Sequence, residues 1–252
     1  MKIKFLGSGS AKSNLARAHS SVLVNSNKKY FLIDCGDGIP LQLLKFGINI
    51  NKIDSVIISH NHPDHLSGLF SLINQMKILG RKNPLIIYAD SFLADNFWKV
   101  MNTFHLFIET TNFQITTTAL NNNTEIVPIP GAVVTCKINT HIKRKEVLKK
   151  YPSSIFSSFS FLIGGTKNNI FYTADIGSEN DLLLFKDYRV DYLIADSFHI
   201  KMEQIISAVH ILKPKRTILT HIEDSDYKRV IAPSIKKYNN IIAASDGMEF
   251  SF

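Results

Sequence analysis

Short apolar runs rich in β-branched residues, each bounded by turn residues, recur along almost the whole chain: KIKFL, SSVLV, YFLI, SVII, PLIIY, EIVPI, VVTCKI, SFLI, IFYT, YLIA, TILT and IIAA. Their length and composition are those of β-strands. Helical periods fall between several of them, at 40–47, 68–80, 91–104, 202–213 and near 226–237. The first two end on Gly47 and Gly80, which suit a left-handed C-terminal cap. Strands and helices alternate in both halves with no linker between them. The expectation is an α/β fold with sheets covered by helices, a single domain over residues 1–252. NNNT (121–124) and GGTKNN (164–169) read as hairpin turns.

An apolar share of 45% over 252 residues supplies ample core, and 20% charged residues with no repetitive tract argue against disorder. No apolar run reaches the ~18 residues needed to cross a bilayer. The opening MKIKFLGSGSAK has too short an apolar stretch for a secretory signal. A cytoplasmic protein with no membrane partner is expected. Two cysteines, Cys35 and Cys136, make neither a disulfide framework nor a cysteine-based zinc site and read as buried thiols. The formal charge of +8 favours anionic partners such as phosphate esters, nucleotides or RNA.

Three of the nine histidines crowd into SHNHPDH, residues 59–65, just after the strand-like DSVIIS. In a near-extended segment His60 and His62 point the same way, and the turn at Pro63 presents Asp64 and His65 from another direction. Imidazole and carboxylate suit zinc or a similar divalent ion, and two directions suit two ions. One loop cannot close such a site. The remaining ligands must come from His19, His105, His141, His199, His210, His221, Asp34, Asp175, Asp196 or Asp246. His141, Asp175 and His221 each follow a strand, as His60 does. His105 and His210 fall within or at the end of helical periods and read as surface or packing residues, and His19 is ambiguous.

The order His-x-His-x-Asp-His, then His, Asp and His each after a strand, resembles the metallo-β-lactamase superfamily. FLIDCGDG, LGRKNPLIIY, the opening LGSGSAKSNLARAHSSVLV and the closing AASDGMEF resemble its ribonuclease Z-like branch. The resemblance implies an αβ/βα four-layer sandwich: two mixed sheets flanked by helices, with metals at one edge. It implies that His60, His62 and His141 hold one ion, that Asp64, His65 and His221 hold the other, and that Asp175 bridges both. Asp34 is expected to orient a ligand histidine; a turn-capping aspartate is the competing reading.

The chain also departs from ribonuclease Z, whose long tRNA-gripping arm lies between the third histidine and the bridging aspartate. Here only the 33 residues from 142 to 174 lie there, including the basic KRKEVLKK. LIADSFHIKMEQ is compact, with Asp196 where that family has a glutamate and His199 soon after. This looks more like the superfamily's small-molecule phosphodiesterases. The expected function is therefore a hydrolase carrying two divalent ions, zinc with manganese or iron as alternatives. A hydroxide bridging them attacks a phosphodiester, Asp64 and His199 count as catalytic, and His199 protonates the leaving group. Lys143, Arg144 and Lys145 are expected to steer the anionic substrate, with weak RNA binding, and a homodimer is a further expectation. A carboxylic ester, lactone or thioester hydrolase and a non-catalytic binding protein are the rival readings; the complete ligand set weighs against the latter.

Overall fold

The structure, a computed structural model, describes residues 1–142, 149–150, 156–165 and 167–251. Two seven-stranded sheets account for the short apolar runs. In the first, β1 (Lys2–Gly7), β2 (Ser21–Ser26) and β3 (Lys29–Ile33) form an antiparallel meander. Strands β4 (Ile53–Ile57), β5 (Leu85–Ala89) and β6 (Ile115–Ala119) then add in parallel. In the second, β7 (Thr124–Ile129), β8 (Ala132–Ile138), β9 (Phe159–Gly164) and β10 (Asn169–Tyr172) are antiparallel. There β11 (Tyr192–Asp196), β12 (Arg216–Thr220) and β13 (Ile241–Ala243) continue in parallel. Strand β14 (Glu249–Ser251) returns to pair with β1.

The layers follow from side-chain alternation. Along β3, Phe31 and Ile33 face the other sheet while Leu32 faces the helices. Along β11, Ile194 points between the sheets and Leu193 and Ala195 point outward. The central core therefore joins Phe5, Val24 and Phe31 to Val134, Phe161 and Ile218. On one outer face lie α1 (Ile39–Lys45), α3 (Gly68–Ile78) and α4 (Ser91–Thr103), through Leu43, Ile73 and Phe97. Between α1 and α3 the short α2 (Pro63–Leu66) carries the histidine motif. On the other face α5 (Met202–Leu212) buries Ile205 and Ala208, and helical turns over Asp224–Asp226, Tyr227–Ile231 and Ala232–Ile235 follow β12. This is the four-layer αβ/βα sandwich. Strands buried on both faces explain why so many runs are apolar throughout rather than alternating.

Gly47 (φ 66°) and Gly80 (φ 68°) are left-handed residues just past α1 and α3, as expected. GGTKNN joins the antiparallel pair β9–β10. NNNT does not make a hairpin: β6 lies in the first sheet and β7 in the second, so this turn carries the chain from one sheet to the other. Turn chemistry marks a change of direction, not the partner of the next strand. Strand β6, the threonine-rich ITTTA, has no apolar run to announce it. Its burial alternates at the sheet edge, where apolar content is not required. Among the described residues no helix is long and apolar enough to cross a membrane.

Candidate metal centre

The parallel strands end level with one another, Ile33 beside Ile57 in the first sheet and Asp196 beside Thr220 in the second. Their following loops therefore emerge at one edge of the sandwich, where α/β folds hold ligands. His60, His62 and His141 converge there: His60 Nε2 is 2.9 Å from His62 Nδ1, and His141 Nε2 is 3.2 Å from that same nitrogen. Asp64, His65, Asp175 and His221 form a second group, and in each group the ligand atoms lie within 4.8 Å of one another. Asp175 is a member of the second group, and its Oδ2 also faces the first. It is 3.3 Å from Nε2 of His65 and of His221, 3.8 Å from that of His141 and 3.9 Å from that of His60.

The buried hydrogen bonds show why these nitrogens face inward. Asp34 Oδ2 accepts the His65 Nδ1 proton at 2.8 Å and the Ser59 hydroxyl proton at 2.8 Å, and Oδ1 accepts the Ser59 N–H at 2.7 Å. Having given its only proton to a carboxylate, Ser59 Oγ accepts from His60 Nδ1, 3.0 Å away. Ser20 repeats the device: its hydroxyl donates to the Gly9 carbonyl at 2.8 Å and lies 3.1 Å from His221 Nδ1, which must be the donor. Three histidines are thus held with Nδ1 as the donor and Nε2 aimed at the centre, the orientation that binds metal. His65 Nε2 is buried and has no hydrogen-bond partner among the described residues. A buried imidazole nitrogen 3.2 Å from Asp64 and 3.3 Å from Asp175 is a donor set that fits a divalent cation.

Electrostatics divide the two groups. Burial, reinforced by the charge of His65, holds His60 well below the usual imidazole range. Burial likewise lowers His62 and takes His141 down to about 4, so these rings are neutral near pH 7. Burial opposes charge on His65, but Asp175 and Asp34 outweigh it and hold that pKa well above the usual value. Burial also opposes ionisation of Asp175, yet His221, His65 and His60 keep its carboxyl well below the carboxylate range. Asp64 is lowered by His65 against the cost of its own burial.

Close packing places the motif. A Cβ on Gly36 would land on the Asp64 carbonyl oxygen, and one on Gly68 would land on the Gly36 carbonyl. The loop after β3 thus lies directly on α2, and the Cys35 N–H donates to the His65 carbonyl at 2.7 Å. Asp34 (φ 64°), Ala174 (φ 49°) and His221 (φ 56°) all adopt left-handed backbone at this edge. Such conformations cost of order 1–3 kcal/mol each and persist where surrounding structure enforces them.

His199 joins the edge beside Asp175 and His141. Its Nδ1 is 2.8 Å from Asp196 Oδ2, and its ring stacks on His221 at 5.2 Å. Burial pushes its pKa down, but Asp196 and Asp175 prevail and raise it. Asp196 is fully buried and accepts from the N–H groups of Phe198 (2.8 Å), His199 (3.2 Å) and Ile176 (3.2 Å), so it orients His199 and is not in either ligand group. Asp246 binds Ser8 and the Ala18 N–H, away from the groups. His105 and His210 are exposed and distant in the fold, and His19 lies outside the groups. Lys143, Arg144 and Lys145 lie outside the described residues. Cys35 and Cys136 are buried free thiols, both pushed up by burial, Cys136 to about 12. Ser20, Ser59 and the orienting role of Asp196 were not anticipated from sequence. Ser59 adjoins His60, which could have drawn attention to it; nothing local marks Ser20.

Residues 1–229 match the family described as the anti-Pycsar protein Apyc1. Ribonuclease Z of Methanococcus aeolicus is 35% identical over 122 residues, 48% of this chain; the match spans only 37% of that relative's own length. The short form of human tRNase Z superposes with a TM-score of 0.75 at 21% identity, covering 100% of this chain and 99% of its own. The metallo-β-lactamase fold protein YhfI from Bacillus subtilis superposes with a TM-score of 0.75 at 18% identity, covering 99% and 98%. The fold is that of the metallo-β-lactamases.

Proposed function

The chain belongs to the family of the anti-Pycsar protein Apyc1, and from that premise we propose that it is a metal-dependent phosphodiesterase acting on small, nucleotide-type diesters. The observation that carries this reading is Asp175 Oδ2, shared between two groups of histidines at 3.3–3.9 Å. His60, His62 and His141 would hold one divalent ion and Asp64, His65 and His221 a second, with Asp175 common to both. Nitrogen and oxygen ligands suit zinc, and also manganese or iron. Such ions would supply Lewis acidity towards phosphoryl oxygens and activate water as the nucleophile.

The protein's own groups do the rest. Asp34, Ser59 and Ser20 keep the imidazole lone pairs aimed at the centre. His199, with Nδ1–H held by Asp196, has its Nε2 proton free for the leaving oxygen, and Asp196 and Asp175 favour that protonated form against the cost of burial. A tRNA 3′-processing activity is the second reading, favoured by the ribonuclease Z match. Against it, only 33 residues lie between His141 and Asp175, and ten of them form β9 and β10.

One panel tests the assignment: bis-p-nitrophenyl phosphate, a cyclic nucleotide, a lactone and a precursor tRNA, each with zinc and with manganese. The small diesters should be the best substrates, and metal analysis should return close to two equivalents. A lactone turned over orders of magnitude faster than any diester would overturn the proposal.

A further inference from the structure

Beside His199 lies a cleft of about 330 Å³ whose lining includes Phe198, His199, Lys201, Glu203 and Arg229. A cleft of equal volume beside His210 and Tyr238 shares no residue with the metal centre. The first meets the metal edge at His199, which lines it and stands beside Asp175 and His141. Phe198 stands at the junction. Its ring meets His199 at 5.0 Å and His221 at 5.8 Å, both edge-on rather than stacked, and 41% of the residue remains exposed. The far wall is the Tyr227–Ile231 turn, wound as π-helix, a geometry that recurs at functional sites. Arg17 braces that turn, with its guanidinium 5.2 Å over the Tyr227 ring and Nε donating to Asp224.

We propose that Phe198 and this cleft receive the nucleobase of the substrate, with Phe198 as the stacking platform. The inference rests on the phosphodiesterase reading and deepens it. An aromatic face beside a phosphate-handling centre binds any base, because every base offers a π-face. The volume lies at the small end of the ~300–1,000 Å³ of ligand pockets, which suits one base and its ribose but not a folded RNA. The polar rim of Lys201, Glu203 and Arg229 can reach base edges or ribose hydroxyls; Arg229 is itself anchored by Asp226 at 2.8 Å.

The test compares inhibition of diester hydrolysis by AMP and by ribose 5-phosphate in the metal-loaded protein. Wild type should bind AMP at least about tenfold more tightly, as base stacking predicts. Phe198→Ala should lose most of that preference, and Phe198→Trp should keep it. Diester hydrolysis with no preference for AMP in wild type, or an unchanged preference in Phe198→Ala, would overturn the base pocket while leaving the phosphodiesterase reading intact. A wild type that hydrolyses no phosphodiester would overturn both.

Discussion

Asp175 meets two demands at once: its carboxylate must face four imidazoles, and the Ala174 backbone before it must turn left-handed to present it. Asp175→Ala should therefore lower hydrolysis by roughly 10²–10³ or more while the circular dichroism spectrum is unchanged; near-normal turnover would refute a shared ligand. The serine relays predict a subtler effect. Ser20→Ala and Ser59→Ala should each weaken metal affinity by ~10–100-fold, measured by competition with a chromogenic chelator, because the imidazoles lose their fixed tautomer. His199 predicts a pH effect. Its pKa is raised, so its acid form persists past the usual imidazole range and disappears as pH rises through the raised value. The alkaline limb of the kcat profile should therefore move to lower pH in Asp196→Asn and vanish in His199→Ala, with kcat down by ~10²–10⁴. The residues expected to cluster were legible because ligand type and position at a strand end are both local properties. Ser20 was not, because its partner lies 201 residues away and only the folded chain joins them.

Among the elements, the loop after β3 and the helix α2 depend on contact closer than any side chain permits. Gly36→Ala would press its methyl group into the Asp64 carbonyl. The expected cost is ~1–3 kcal/mol of stability, read by urea unfolding, together with weaker metal binding, since Asp64 and His65 would both shift. Unchanged stability and affinity would mean that the loop yields freely. Helix ends and antiparallel turns could be read from Gly47, Gly80 and GGTKNN because their chemistry is local. The path of NNNT between sheets could not, because it depends on which strands β6 and β7 find as partners. The helix over 91–104 gains its start from Asp90, whose side chain accepts the Leu93 N–H at 2.8 Å. The same carboxylate also holds Asn61 at 2.9 Å, so a helix cap steadies the histidine motif.

At the scale of the whole molecule, sheets covered by helices were legible because apolar runs and helical periods alternate throughout, whereas the four-layer order was implied only by the family resemblance. What the molecule can grip depends on how far it extends from its metal edge. Affinity for folded RNA comes mainly from Lys and Arg contacts to phosphates over an extended surface. Here the net charge is +8, but the interval from 142 to 174 supplies two sheet strands and only the short KRKEVLKK as a basic segment. Eight residues span at most ~28 Å when fully stretched and less when looped back. A segment of that length spans a few phosphates at most and cannot embrace a tRNA body. About four phosphate contacts would lose roughly a hundredfold in affinity between 50 and 200 mM salt. A gel-shift titration with precursor tRNA should therefore show weak binding at low salt that disappears at physiological salt, while hydrolysis of a small diester changes little over the same range. Tight binding at physiological salt with cleavage at the 3′ trailer would instead require a second basic surface, such as one supplied by another copy of the chain.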